Sequence, residues 1–486
     1  MDGNSGKVRY LAKNIGLLTL SNFATKILSF FLVPLYTSIL TTTEYGINDL
    51  FVTTIGILLP VVTLNIQESV LRFALDDKYD KNSILRIGFK YLSFGTIIVV
   101  ALLVLNGVTG TFDIFKTYGI FFFLMYFSQA LSGLLAAYIR GIDRVADLSI
   151  SSVINSLSII ICNILFLVVF KWGIVGYFIA NIIGPFIQCI YLVLRAGIIG
   201  KSLSSAKDTR ISKEMIEYSK PLILNSIAWW INNAADKYVI VFFLGLTENG
   251  IYSVAGKIPA ILNVFQVIFA QAWTLSAVKE FDPEDKNGFF SKTYATYNCF
   301  MVLGCSAIIV VDKLLARMMY AKDFFAAWQY VPWLTIAIVF GSLAGYLGGF
   351  FSAVKDSKVF ARTTLIGAAC NIVLNFALTP FIGAMGAAIA TTVSFFSVWC
   401  FRLVISKKYI RFAIRLKRDL ITYFLVVLQT VILLLLDGPL LYGLEIGLFI
   451  FIALLYMSDI KGVTSKISGI LFSRLKRDDG RFNNTH

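Results

Sequence analysis

Residues 44–73 read EYGINDLFVTTIGILLPVVTLNIQESVLRF, and residues 248–277 read ENGIYSVAGKIPAILNVFQVIFAQAWTLSA. At a constant offset of 204, Glu44 meets Glu248, Gly46 meets Gly250, Ile47 meets Ile251 and Leu58 meets Leu262. Gln67 with Gln271 and Leu71 with Leu275 keep the same register. Further on, CNILFLVVFKWGIVGYFIAN from 162 matches CNIVLNFALTPFIGAMGAAIAT from 370, with Cys-Asn-Ile offset by 208 and the Gly-x-x-Gly pairs by 210. Each match alone is weak, but their common order and nearly common offset indicate an internal repeat.

The chain has 486 residues, of which 58% are hydrophobic and 15% charged, and its mean hydropathy is +0.79. A soluble domain cannot hide that much apolar surface, so the fold class is an all-α polytopic membrane protein. Apolar runs of about 20 residues predict fourteen transmembrane helices. They lie near 14–40, 46–71, 87–106, 115–138, 148–170, 174–194, 218–244, 250–278, 293–311, 327–352, 360–379, 384–401, 420–436 and 439–457. The repeat maps helices 1–6 onto 7–12, and an even count makes the two copies parallel. The expected plan is an N-terminal six-helix lobe (1–196), a cytoplasmic inter-lobe linker (197–217) and a C-terminal six-helix lobe (218–405). Helices 13 and 14 (406–458) have no counterpart, and 459–486 forms a basic cytoplasmic tail lying along the interface. The first apolar run is too long for a signal-peptide core and contains Lys26, so no cleavable signal is expected.

A net charge of +15 would suit nucleic acid, but its distribution argues otherwise. With a cytoplasmic N-terminus and fourteen crossings, only Lys116, Lys171, Lys313, Arg317 and Lys322 fall at the outer side, and Lys26, Lys237 and Lys257 fall inside helices, more than a turn from either end. The other Lys and Arg lie on the cytoplasmic side or in the first helical turn next to it. This asymmetry is the positive-inside rule, with both termini cytoplasmic and anionic lipid as the partner of the basic loops. The six cysteines fall in helices and form no metal-like cluster, so they read as packing residues and no metal site is expected. The only histidine is His486, which excludes histidine-based catalysis. GIIGKS at 197–202 lacks the glycine spacing of a phosphate-binding loop and follows a membrane helix, so it reads as linker. The chain is expected to be no enzyme and to need no cofactor.

Charges inside a bilayer face the bundle interior or a water-filled cavity. On helix 7, Asn225, Trp229, Asn232 and Asp236 recur at helical spacing and form one polar stripe. Lys237, one residue on, points about 100° away, toward the lobe interface or the polar edge of helix 2. On helix 2, Asp49, Thr53, Gly56, Pro60, Thr63 and Gln67 share a face, and Pro60 predicts a kink. Helix 1 carries Asn22, Lys26 and Ser29, and helix 8 carries Ser253 and Lys257. These are helices 1 and 2 and their repeat equivalents, so a shared cavity is the expected site: Lys26, Asp49, Asn225, Trp229, Asn232, Asp236, Lys237 and Lys257. Three lysines against two aspartates leave it cationic, which favours phosphate or carboxylate over organic cations. Glu68 and Arg72, spaced i,i+4, are expected to pair. Gly341, Gly345 and Gly349 are spaced for close helix packing.

YSKPLILNSIAWWINNAADKYVIVFFLG, NGIYSVAGKIPAIL, FAQAW and EYGINDL together closely resemble the bacterial polysaccharide repeat-unit flippases. These are the oligosaccharide-lipid branch of a superfamily that also holds multidrug/toxin-extrusion antiporters and the lipid II flippase. The resemblance spans roughly 5–410 and is weakest over helices 13 and 14. It implies movement of an undecaprenyl-pyrophosphate-linked oligosaccharide, such as an O-antigen unit, from the inner to the outer leaflet of a bacterial cell membrane. It further implies alternating access, with Lys26, Asp49 and Lys257 at charged cavity positions and Lys237 where arginine is common. A polysaccharide polymerase and a coupling ion, H+ or Na+, fit the same picture. Two alternatives are a multidrug/cation antiporter, whose cavity should be acidic, and a nontransporting scaffold for a polysaccharide synthase.

Overall fold

The computed structural model describes residues 30–197, 209–354 and 356–462, and every regular element among them is helical. In chain order they are α1 (Val33–Ile39), α2 (Thr42–Val62), α3 (Ile66–Ala74), α4 (Lys81–Thr109), α5 (Asp113–Gly141) and α6 (Val145–Asn163). A π-helical turn extends α6 to Val169, and α7 follows (Gly173–Ala196). Next come α8 (Thr209–Leu244), α9 (Leu246–Ala255), α10 (Ala260–Lys279), α11 (Phe289–Met319) and a 3-10 segment (Lys322–Gln329). The last five are α12 (Val331–Ala353), α13 (Ser357–Ile382), α14 (Ala384–Ser406), α15 (Leu416–Leu435) and α16 (Pro439–Leu455).

Eleven of the described helices are long and apolar enough to cross a membrane, so the protein is multi-pass. Three further spans were expected from the sequence. One is α8, 36 residues long but rich in charge. Another is α16, an apolar helix of 17 residues. The first lies largely within 1–29, outside the described residues, as does the tail from 463.

Two expected helices are each broken in two. The span at 46–71 stops at Val62 and restarts at Ile66, because Leu64 and Asn65 adopt left-handed backbone (φ 54° and 52°). Pro60 itself stays inside α2, and its carbonyl accepts the Asn65 amide at 2.7 Å. The span at 250–278 breaks between Ala255 and Ala260, next to Gly256 and Pro259. Proline removes a helical donor and crowds the preceding turn. The two breaks fall at nonequivalent places in the repeat. α8 also starts inside the stretch expected as linker, where the Arg210–Glu214 and Lys213–Glu217 pairs support its first turns.

Packing divides the chain differently from the repeat. Among the described residues, one compact unit holds those up to Lys257 with Met318–Phe325, and the other holds Ile258–Arg317 with those from Ala326 on. The core of the first is built on Phe51, Tyr126, Leu134 and Phe178. In the second, Trp273, Tyr346, Phe350 and Trp399 are central. Within the first unit the repeat becomes a symmetric crossing of α2 and α9. A Cβ on Gly46 would lie 2.0 Å from the Leu246 carbonyl oxygen, and one on Gly250 would lie 1.9 Å from that of Thr42. The hydroxyls of Thr43 and Thr247 sit 2.8 Å apart at the same crossing. Contacts of the form i to j′ and j to i′ are those of a local twofold.

Gly349 meets the expectation of close packing, since a Cβ there would fall 2.5 Å from Trp273 Nε1, whereas Gly345 has open space beside it. Glu68 and Arg72 form no ion pair among the described residues; both are exposed, where water competes for each charge.

Candidate functional site

α8 packs along α2 in the first unit, and an aromatic pair sets its rotation. Trp230 Nε1 donates to the Thr53 carbonyl at 2.9 Å, and its ring meets Tyr238 edge-on at 5.3 Å. The Tyr238 and Thr54 hydroxyls are hydrogen-bonded at 2.5 Å. Gly56 leaves room for the indole, whose nearest atom would lie 3.7 Å from a Cβ. Fixed in this way, α8 turns Lys237 onto α2, where its Nζ donates to Asp49 Oδ1 at 2.8 Å. Both side chains are largely buried, with 23% and 16% exposure, so the pair is shielded from salt. Asp49 Oδ2 has no hydrogen-bond partner among the described residues.

Asp236 faces elsewhere. Its Oδ2 accepts the Tyr252 hydroxyl of α9 at 2.7 Å, and its Oδ1 accepts the Lys237 backbone N–H at 3.0 Å. It is therefore held by neutral donors and not by a lysine side chain. Asn232, one turn earlier, is buried and donates to the Ala228 carbonyl. Asn225 and Trp229 lie on the exposed part of the same stripe. Lys26 lies outside the described residues.

Lys257 lines an adjoining cleft of about 160 Å³ formed with Leu32, Val33, Tyr36, Ser156, Ile159, Ile160, Tyr177 and Asn181. Among the described residues it is the one charged group in that lining. The rings of Tyr36 and Tyr177 lie 4.7 Å apart, and Tyr45 stacks on Tyr177 at 6.2 Å. The Tyr36 hydroxyl accepts from buried Asn163 at 3.1 Å. Asp49 is within electrostatic reach of Lys257, Tyr45 and Tyr177, which joins the ion pair to the cleft. A cation among hydroxyls and amides in a space of this size suits a phosphate group or a single sugar ring.

The structure thus brings Asp49, Lys237, Asp236 and Lys257 into one region and leaves Asn225 and Trp229 apart. Tyr36, Tyr177 and Asn181 in the cleft and Tyr252 on Asp236 are neighbours of these charges that the sequence pattern did not single out. An aromatic every few residues is ordinary in an apolar helix, and only Tyr177 and Asn181, at i and i+4, carried any signal. No group of three or more metal-ligating side chains occurs among the described residues.

The family model for polysaccharide biosynthesis proteins matches residues 11–278. A probable low-salt glycan biosynthesis flippase, Agl15, of Haloferax volcanii is 24% identical over 189 residues, which cover 38% of this chain and 40% of that protein. The chain therefore spans well under two thirds of the curated relative it matches. Among solved structures, the lipid II flippase MurJ in an inward closed conformation superposes with a TM-score of 0.68 at 16% identity. That likeness covers 91% of this chain and 98% of MurJ. An inward-facing multidrug resistance MATE transporter gives 0.63 at 15% identity, over 79% and 94% of the two chains. At these identities the structural likeness establishes the fold alone.

Proposed function

The chain belongs to the polysaccharide biosynthesis protein family, and on that premise we propose that it is a flippase for a lipid-linked oligosaccharide. The match to the family model over 11–278 covers both α2 with its repeat partner α9 and the charged region they share. The single observation that carries the substrate class is Lys257. It is the only charge among the described residues lining a cleft otherwise built of hydroxyl, amide and apolar groups. A cation there attracts phosphate, and the tyrosines and Asn181 offer hydrogen bonds to sugar hydroxyls. A drug/cation antiporter would call for a carboxylate in that lining.

The finer reading is an undecaprenyl-pyrophosphate-linked repeat unit, O-antigen-like, carried from the cytoplasmic to the outer leaflet of a bacterial inner membrane by alternating access between two six-helix lobes. Both termini are then cytoplasmic. Lys257 and Lys26 would engage the pyrophosphate, with Asp49 and Lys237 setting the local charge and Asn225, Trp229, Asn232 and Asp236 along the sugar path. A polymerase downstream and H+ or Na+ as driving ion complete the scheme.

The test is charge reversal at Lys257. Lys257→Glu is expected to abolish surface polysaccharide in a complementation assay while membrane abundance stays near normal, and Lys257→Arg is expected to retain most of it. Wild-type polysaccharide in the Lys257→Glu strain overturns the phosphate-binding cleft.

A further inference from the structure

The second unit has its own set of buried polar groups, where the helix pair without a repeat counterpart, α15 and α16, bonds to α11. At mid-height Ser306 of α11 donates to Gln429 Oε1 of α15 at 2.7 Å, and Gln429 Nε2 donates to the backbone carbonyl of Glu445 on α16 at 3.3 Å. All three side chains are 0% exposed. Neither carboxyl oxygen of Glu445 has a hydrogen-bond partner of good geometry among the described residues, and the Gln429 amide, bonded to the Glu445 backbone, is the neutral donor near enough to act on it.

The charged and titratable groups on the surrounding helices are placed above and below. About 10 Å along α11 by helical rise, Lys313 Nζ reaches Asp437 Oδ1 at 2.7 Å and the Leu436 carbonyl at 3.2 Å. Beside it Asp312 is also 0% exposed, with both oxygens unpartnered among the described residues. About 12 Å the other way, Asn298 bonds the hydroxyls of Tyr423 and Tyr456. Cys305 is buried next to Ser306. Among the described residues, none of these groups bonds to the Glu445 carboxyl.

An ionised carboxylate in such a place has no counter-charge and only the neutral Gln429 amide nearby, so burial forces it to carry a bound cation. The surroundings select the kind. A metal ion needs several oxygen ligands, but Gln429 turns its N–H side to α16 and commits its oxygen to Ser306. A proton needs only the carboxyl. We propose that Glu445 is a proton-binding site, and that loss of its proton to water is linked to opening of α16 from α11 and α15. Once ionised, the carboxylate must be hydrated, and water enters that layer only if the three helices separate. Use of this site to couple transport to a proton gradient rests on the flippase reading; the proton binding does not.

Infrared spectra of the purified full-length protein in lipid nanodiscs, taken in D2O across a pH series, test the binding. The expected result is a protonated-carboxyl C=O band that persists above the ordinary carboxyl range, diminished in Glu445→Gln and retained in Asp312→Asn. Absence of the band from the wild type, or a band lost only in Asp312→Asn, overturns the site. Hydrogen exchange along α16, corrected for the intrinsic base-catalysed rate, tests the linkage. It is expected to rise about tenfold in the wild type as the band titrates and to stay flat in Glu445→Gln. Parallel profiles in the two proteins overturn the linkage. Both readouts are taken without transport, so their failure is distinct from failure of the flippase reading.

Discussion

A single residue step separates two carboxylate environments at the start of the site. Asp236 and Lys237 are neighbours, yet about 100° of helical rotation sends one to Tyr252 and the other to Asp49. The Lys237–Asp49 pair is buried, and removing one partner leaves an uncompensated charge. Asp49→Ala is therefore expected to destabilise the purified protein by about 3–5 kcal/mol, read from its thermal unfolding in detergent. The double change Asp49→Asn with Lys237→Gln should recover much of that loss, because a neutral hydrogen-bonded pair leaves no charge stranded. Additive losses in the double variant would mean that the two side chains do not act on one another.

At the level of elements, the crossing of α2 and α9 depends on two glycines. Alanine in a helix is ordinarily more favourable than glycine by roughly 0.5–1 kcal/mol, so the sign of the effect is diagnostic. Gly46→Ala and Gly250→Ala are each expected to lower the melting temperature, by an overpacking cost of about 1–3 kcal/mol. The pair should be less than additive, since the first substitution already separates the backbones at the point where the second would act. An unchanged or raised melting temperature in either single variant would place the close approach elsewhere. The repeat found in the sequence thus acquires a physical role at this crossing, because a contact shared by equivalent residues requires the small residue in both copies.

For the molecule as a whole, α11 runs from Phe289 to Met319, about 46 Å by helical rise, so its two ends must emerge on opposite faces of a bilayer. The loop before it carries exposed Lys286, and the segment after it carries exposed Asp323. With the basic loops cytoplasmic, an impermeant maleimide added to intact cells should label Asp323→Cys and spare Lys286→Cys. Lys408→Cys, beyond α14, should also be spared. Labelling of both ends of α11 would contradict a membrane crossing by that helix, and labelling of Lys286→Cys alone would invert the topology.

The apolar runs by themselves determined that the chain is a multi-pass helical membrane protein, and most span limits fell within a few residues of the observed helices. Length and hydropathy are properties of a segment read alone, as is the 3.6-residue period that put Asp49 and Asp236 on polar stripes and turned Lys237 away from the second. The repeat, too, is a relation between segments of sequence and needed no structure. Pairing is different. Whether Lys237 meets Asp49, Asp236 or a substrate depends on the rotation of α8 against α2, which Trp230 fixes by a bond to a backbone carbonyl 177 residues away. The same holds for the breaks after Val62 and Ala255, and for the grouping of α8 and α9 with the first unit. The burial of Glu445 likewise follows from how α16 lies on α11 and α15. None of these is written in local periodicity, because each arises from side chains brought together by packing across helices that are distant in the chain.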